Sequence, residues 1–316
     1  MANTKEIQRR IKSISSTKKI TKAMEMVAAA KMRRTTEAVL RTRPYANLSW
    51  VTVLNLAKAV NSNGTIHLLL SERKDIKKVA IVLFSSNRGL CGGFNSAIMA
   101  KARNSIIKHN NLPTDFIVIG KKGLAVNSRY KYNVSAQFEK NDTASEIKEV
   151  QALAKMMIDD FLNKKYDKVL VAYTDFVNPA KQVPRVKQIL PIDVNAEDDH
   201  LGIVGKDEKL GVDKEFVKEK QDKYLSKGEE KFLMTYEPSA EEVLNQMLPR
   251  LIEVQLFQAL LESNASEHSA RMSAMNKATE AASDLVKELT LFYNKARQAS
   301  ITAEIAEISA GANALE

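Results

Sequence analysis

The chain is 316 residues long, 44% hydrophobic and 27% charged, with a formal charge of +10, so it has apolar content for a core and length for one large domain or two ordinary ones. No apolar run approaches the roughly 20 residues of a membrane span, and none near Met1 reads as a secretory segment, so a soluble protein is expected. Cys91 is the single cysteine, which excludes an internal disulfide and a multi-cysteine metal site and suits a reducing compartment.

Residues 1–43 contain neither Gly nor Pro, and Ile7, Ile11 and Ile14, then Met24, Val27 and Ala28, recur at helical spacing. At about 1.5 Å per residue this predicts a rod of about 65 Å. Pro44 is expected to bend it before Leu48, Val51, Leu54 and Leu56 carry helix on to Ser62, where Asn61-Ser-Asn-Gly64 supplies an end. The charge is concentrated here. Twelve Lys or Arg in residues 1–43 face only Glu6, Glu25 and Glu37, a net +9, leaving the rest of the chain close to neutral. A basic, serine-containing amino end can be a mitochondrial presequence, but the helical pattern continues past any plausible cleavage point.

An α/β pattern follows. Val79–Phe84, Phe116–Ile119, Val134–Phe138 and Val169–Tyr173 are short apolar runs separated by helical stretches near 95–110, 121–129 and 144–164, the signature of a parallel sheet with crossover helices. Gln182–Leu190 adds a candidate edge strand. Residues 197–231, with eleven acids and eight bases, read as a solvated insertion with a short helix near Asp213 to Leu225.

Between the first strand and the next helix lies Ser85-Ser-Asn-Arg-Gly-Leu-Cys-Gly-Gly-Phe94. Its Gly89, Gly92 and Gly93 do not follow the G-x-G-x-x-G order of a dinucleotide loop, and the second strand runs into Gly120-Lys-Lys-Gly123 with no ribose-binding acid. A tight structural turn is expected, with no cofactor.

From Arg250 to Ala310 there is again neither Gly nor Pro, and Met272, Met275, Thr279, Ala282, Val286, Leu289, Tyr293 and Ala296 recur at the spacing of a coiled-coil seam. About 60 helical residues span about 90 Å, longer than a globular domain of this size is wide. Such a seam needs a partner, and the amino-terminal helix is the only one comparable. The expected fold class is therefore α/β: a long antiparallel coiled coil of the two terminal helices, 1–62 and 241–316, with a central Rossmann-like α/β domain, 63–240. His67, His109, His200 and His268 show no metal spacing, the carboxylates are expected on solvated helix faces, and no catalytic residue stands out, so the chain is not expected to be an enzyme by itself.

Three segments in order along the chain, Ile20-Thr-Lys-Ala-Met-Glu-Met-Val-Ala-Ala29, Asn87-Arg-Gly-Leu-Cys-Gly-Gly93 and Tyr293-Asn-Lys-Ala-Arg-Gln-Ala-Ser-Ile-Thr302, closely resemble the γ subunits of the F-type ATP synthase, in their bacterial form. The resemblance implies a central-stalk rotor that stands inside a ring of three α and three β subunits and couples ion flow through the membrane c-ring to the conformational cycle of the β-subunit catalytic sites. By the same resemblance, Lys22, Met24, Arg88, Cys91, Arg297, Gln298 and Thr302 would contact β subunits. Ile301, Ile305 and Ile308 would turn in an apical bearing, and Tyr236 and Glu237 would form the foot on the c-ring and the ε subunit. The implied location is peripheral, on the cytoplasmic face of the bacterial inner membrane. Segment 197–231 has no cysteine pair, so the thiol switch of plant-type members is not expected. The alternatives are a basic coiled-coil scaffold or nucleic-acid-binding protein, disfavoured by the lack of aromatic residues in 1–43, and a nucleotide-using α/β enzyme, which would bind ATP or NAD as an isolated chain.

Overall fold

Val79–Phe84 is apolar at every position, as a strand covered on both faces must be, and it forms the centre of a five-stranded sheet. The computed structural model describes residues 4–61, 67–71, 73, 75–108, 111–143, 146–192 and 236–313. The insertion 197–231 and its expected helix lie outside them. The chain divides into two compact units, residues 30–270 and residues 1–29 with 271–316.

In the first of these units the strands are β1 (Val79–Phe84), β2 (Thr114–Ile119), β3 (Asn133–Phe138), β4 (Lys168–Asn178) and β5 (Lys181–Leu190), in the order β3-β2-β1-β4-β5. The pairs among β3, β2, β1 and β4 are parallel, and β5 returns antiparallel to β4 as the edge. The crossovers are α2 (Phe94–Lys108), a 3-10 turn at Lys121–Leu124 running into α3 (Ala125–Tyr130), and α4 (Lys148–Leu162). Alternate residues feed two cores. Ile81, Leu83, Phe116 and Val118 pack on Ile98, Ala102 and Ile106 of α2, and Val82, Phe84, Ile117 and Val171 pack on the opposite face with Leu153 and Met157 of α4. A register shift between Phe116 and Ile117 lets Val134 of β3 join the first core while Ala136 and Phe138 join the second. Each buried large apolar side chain contributes about 1.5–3 kcal/mol.

Two long helices contribute to both units: α1 (Thr4–Asn61) and α5 (Ala240–Asn313). Both contain a proline, Pro44 and Pro249, and neither element ends there. The residue four positions earlier, Leu40 or Asn245, is exposed, so the carbonyl that each proline leaves without an amide partner lies on a face open to water. The carboxy-terminal helix thus starts ten residues before Arg250. Ser239 marks the start: its Oγ accepts the Glu242 amide at 3.2 Å, a cap of the S-x-x-E type. Within residues 30–270, α1 buries Val39, Trp50, Val53, Leu56 and Ala57, and α5 is buried on all sides from Leu251 to Ser269 apart from Glu253.

The other unit is an antiparallel helix pair. Lys18 Nζ donates to Ser283 Oγ at 3.0 Å, and Thr279 Oγ1 donates to Thr21 Oγ1 at 2.8 Å, so residue numbers rise on one helix as they fall on the other. On α5 the half-buried and buried positions include Met272, Met275, Thr279, Ala282, Val286, Leu289, Tyr293 and Ala296, as the seam pattern predicts. On α1 they include Ile7, Ile11, Ile14, Lys18, Thr21, Glu25 and Ala28. Val27 is a correction: it is 57% exposed, because the heptad steps from Glu25 to Ala28 and passes it by.

The turn that links β2 to α3 is tight. Ser85 Oγ accepts the Gly123 amide at 2.8 Å and lies within hydrogen-bond reach of the Ile119 and Gly120 carbonyls. Gly120 has φ +94°, and a Cβ there would collide with the Ser85 carbonyl oxygen. Gly120→Ala is expected to cost about 2–4 kcal/mol from strain and overpacking together. Gly89→Ala, where a Cβ meets nothing within 4 Å, should stay within about 0.5 kcal/mol of wild type. Urea denaturation followed by circular dichroism distinguishes the two.

Candidate functional site

The helix pair carries a groove of about 680 Å³, lined by Ser15, Lys18, Lys19, Lys22, Ala23 and Met26 of α1 and by Asn276, Thr279, Glu280 and Ser283 of α5. Three ammonium groups against one carboxylate make it electropositive. Lys22 is exposed and pairs with Glu25 at 2.9 Å. Met24 is half-buried outside this lining, and Met26, which spacing alone did not single out, takes the groove position at 59% exposure.

Carrying the Thr21–Thr279 register outward sets Thr4 opposite Ala296. Arg297, Gln298, Ile301, Thr302, Ile305 and Ile308 therefore lie beyond the described part of α1, and all are exposed on α5. The Thr302 hydroxyl donates to the Gln298 carbonyl at 2.9 Å, a local back-bond that keeps it on the helix surface. Ile301, Ile305 and Ile308 are 48%, 62% and 73% exposed, and Leu291 and Phe292 are also more than half exposed. Apolar groups collected on one helix segment in this way mark a surface that something covers.

In the other unit, the loop after β1 spends its polar groups on itself and on the neighbouring turns, Asn87 donating to the Lys140 carbonyl and the Ser86 carbonyl accepting from the Lys122 amide. The Ser86 amide donates to Asn95 Oδ1 at 3.0 Å, Asn95 Nδ2 donates to Ser86 Oγ at 2.7 Å, and Ser86 Oγ donates to the Arg88 carbonyl at 2.7 Å. Cys91 is 2% exposed, with its Sγ 3.3 Å from Asn95 Nδ2. Its thiol is thus packed inside the turn, and Arg88 is the exposed side chain of the pair. Leu90 at φ 62° and Gly92 at φ 56° close the loop. Tyr236 is half-buried against the larger core, and Glu237 is exposed.

The largest departure from the sequence pattern is on α5. Glu262 to Ser269 reads as a polar, solvated helix face, yet every residue in it is buried. Each partner is specific. Glu267 Oε2 meets Lys140 Nζ at 2.6 Å, and both side chains are at most 2% exposed. Asn264 Nδ2 donates to the Asn141 carbonyl at 3.0 Å, and His268 Nε2 lies 2.8 Å from the Asp142 carbonyl. Ser266 and Ser269 donate to the carbonyls of Thr174 and Pro179. The loop after β3 is also held on α1 through Lys31 and Asp142 at 2.9 Å. Burial works to raise the Asp142 carboxyl, but the Lys31 hydrogen bond prevails and holds it below its ordinary range. Asp115 and Asp175 are buried on strands in the same way. Charge alternation in the sequence could not reveal the two ion pairs of this loop, since Lys140 and Glu267 are 127 residues apart and Lys31 and Asp142 are 111 apart.

Uncovered apolar groups on α5, in a chain whose glycine turn is closed by its own side chains, fit a protein that works inside an assembly. A family model described as ATP synthase matches residues 3–315. The ATP synthase gamma chain of Herpetosiphon aurantiacus is 40% identical over 322 residues, covering 100% of this chain and 99% of that protein. The one from Legionella pneumophila is 38% identical over 317 residues, covering 100% of both. The chain belongs to the ATP synthase gamma chain family. Among solved structures it is similar to a chain of the Euglena gracilis mitochondrial ATP synthase (OSCP/F1/c-ring, rotational state 3), with TM-score 0.63 and 18% identity over 99% of this chain and 94% of that one. It is also similar to a chain of the Tetrahymena thermophila mitochondrial ATP synthase central stalk and c-ring, with TM-score 0.57 and 24% identity over 82% and 99%. At those identities the likeness shows the shared fold.

Removing one member of the Lys140–Glu267 pair leaves a buried charge uncompensated. Lys140→Met is expected to cost about 3–5 kcal/mol, and adding Glu267→Leu should recover most of it. Lys22→Ala, which breaks only an exposed pair, should cost less than about 1 kcal/mol. Denaturant midpoints of the four proteins check the ordering.

Proposed function

We propose that this chain is the central-stalk rotor subunit of an ATP synthase, the shaft that couples ion flow through a c-ring to conformational cycling of β-subunit catalytic sites. The observation that carries this reading is the full-length family membership joined to the exposed isoleucines of the α5 tip. Ile301, Ile305 and Ile308 suit a mostly apolar sleeve formed by an α3β3 ring. Contacts between aliphatic groups are weakly directional, so the tip can change its angle without breaking hydrogen bonds.

Polar contacts would set the preferred angles. Arg297, Gln298 and Thr302 would meet a β-subunit loop, and the groove with Lys22, flanked by Met24, would face acidic lever segments of β. Arg88 would make a further β contact from the loop after β1, with Cys91 holding that loop in shape. Tyr236 and Glu237 would belong to the foot at the ε subunit and the c-ring. The nucleotides would be held by the α and β subunits, and this chain would do no bond chemistry of its own. No helix among the described residues is long and apolar enough to cross a membrane, which agrees with a peripheral place on the cytoplasmic face of a bacterial inner membrane.

Mass spectrometry of what co-purifies with the chain from native membranes tests the assembly: α, β, ε and c subunits are expected, and their absence removes the proposal. For the tip, the double variant Arg297→Ala/Gln298→Ala is expected to lower coupled ATP turnover by about tenfold or more. Its unfolding midpoint should not move, because both side chains are exposed. Unchanged turnover would take both residues out of the contact.

A further inference from the structure

One group of ionisable side chains in residues 30–270 is not explained by the helix packing alone. Glu262 of α5 is 0% exposed and Asp175 of β4 is 1% exposed. Arg43 of α1 reaches Glu262 Oε1 only at 3.6 Å, and Arg185 of β5 places its Nε 2.8 Å from Asp175 Oδ2. Gln258, on the same helix as Glu262, donates to Glu262 Oε1 at 3.0 Å and is itself held by the Thr42 hydroxyl at 2.8 Å. Tyr173 of β4 completes the surroundings, and burial, then Glu262 and Asp175, raises its phenol well above the ordinary value, so it stays neutral.

Three oxygens decide the matter. Glu262 Oε2 and both carboxylate oxygens of Asp175 are buried with no hydrogen-bond donor among the described residues, Asp175 Oδ2 having the Arg185 ion pair alone. One turn along α5 from Glu262, Ser266 donates to the carbonyl of Thr174, the neighbour of Asp175 on β4, so both carboxylates belong to the same α5–β4 contact. A buried carboxylate oxygen without a donor is costly, and two carboxylates close together do not both ionise readily. One proton placed between them satisfies both.

We propose that Glu262 and Asp175 share a single proton, with Glu262 as the carboxylic acid donating to the Asp175 carboxylate, and that this proton ties α5 to β4 until alkaline solution removes it. Loss of the proton releases one H⁺ to solvent and leaves two negative charges facing Arg43 and Arg185. The tie makes the packing of the helix on the β4–β5 hairpin dependent on pH. Burial, and after it the negative Asp175, pushes the Glu262 carboxyl up from its ordinary 4.5 to about 7. Since the folded value lies above the unfolded one, the folded chain holds the extra proton between them. The stabilisation is fully present below about 4.5 and is lost as the pH rises through about 7.

The test compares unfolding of the full-length chain and of Glu262→Gln at pH 6 and pH 8. Glutamine keeps the volume and donates to Asp175 at every pH. Between those values the folding equilibrium constant of wild type should fall roughly tenfold relative to the variant. Parallel behaviour, within about twofold, overturns the proposal. Should Glu262→Gln fail to fold, carbon-13 labelling of the glutamate carboxyls in wild type replaces it. One carboxyl is expected to titrate between pH 6 and 8 and to move to lower pH in Asp175→Asn. If all glutamates titrate in the ordinary range, the shared proton does not exist.

Discussion

A helix surrounded on every side by protein has no water to satisfy polar side chains, and between Glu262 and Ser269 α5 is such a helix with almost nothing but polar side chains on it. Every neighbour is therefore constrained. The loop after β3 must present Lys140 and two carbonyls, β4 must expose the Thr174 carbonyl toward the helix, and the β4–β5 turn must offer the Pro179 carbonyl. These are directional bonds, so they fix the rotation and height of α5 against the sheet in a way that leucine packing would not. Replacing both members of a buried pair by apolar groups is often tolerated, so specificity of placement is the better explanation for the polar design than stability.

The same helix changes character along its length. From Leu244 to Leu261 it buries apolar groups, from Glu262 to Ser269 it buries polar ones, from Met275 it shows one seam to a partner helix, and beyond Ala296 its isoleucines are open. Four environments on one continuous element are what a shaft requires: anchored at one place, paired at another and free to be gripped elsewhere. Charge follows the pattern, since Glu267 meets a buried partner while the ammonium groups of Lys19 and Lys22 are exposed at the groove, Lys22 in a surface pair with Glu25.

How much of this was legible depends on whether the signal was local. The α5 seam repeats every three and four residues, so Met275 to Ala296 could be read directly, and the apolar β1 was equally plain. The run Gln182–Leu190 read as a candidate edge strand, but its antiparallel direction against β4 came only from the fold. Heptad bookkeeping failed at Val27 because apolar character there does not coincide with the seam. The start of α5 at Ala240 lies one residue from the expected 241, where Ser239 and Glu242 spell a cap, and Pro249 does not interrupt the helix. The burial of Glu262 and Glu267 had no local sign at all: hydropathy places them outside, and only the fold brings Arg43 and Lys140 to them. Among the site residues, resemblance supplied the positions, while the structure distinguishes exposed Arg88 from buried Cys91.

The hydroxyl and ammonium groups on the helix seam have a mechanical consequence. Two helices joined only by aliphatic contacts can slide by a heptad and remake equivalent contacts, so axial slip would be cheap. The Thr21–Thr279 bond has no equivalent one heptad away, since Thr21 would then meet Met272 or Val286 in place of Thr279, whereas Lys18 would find Asn276 or Thr290 to accept its proton. Axial load along this strut is thereby resisted by a short hydroxyl latch, while bending and twisting are left to the backbone.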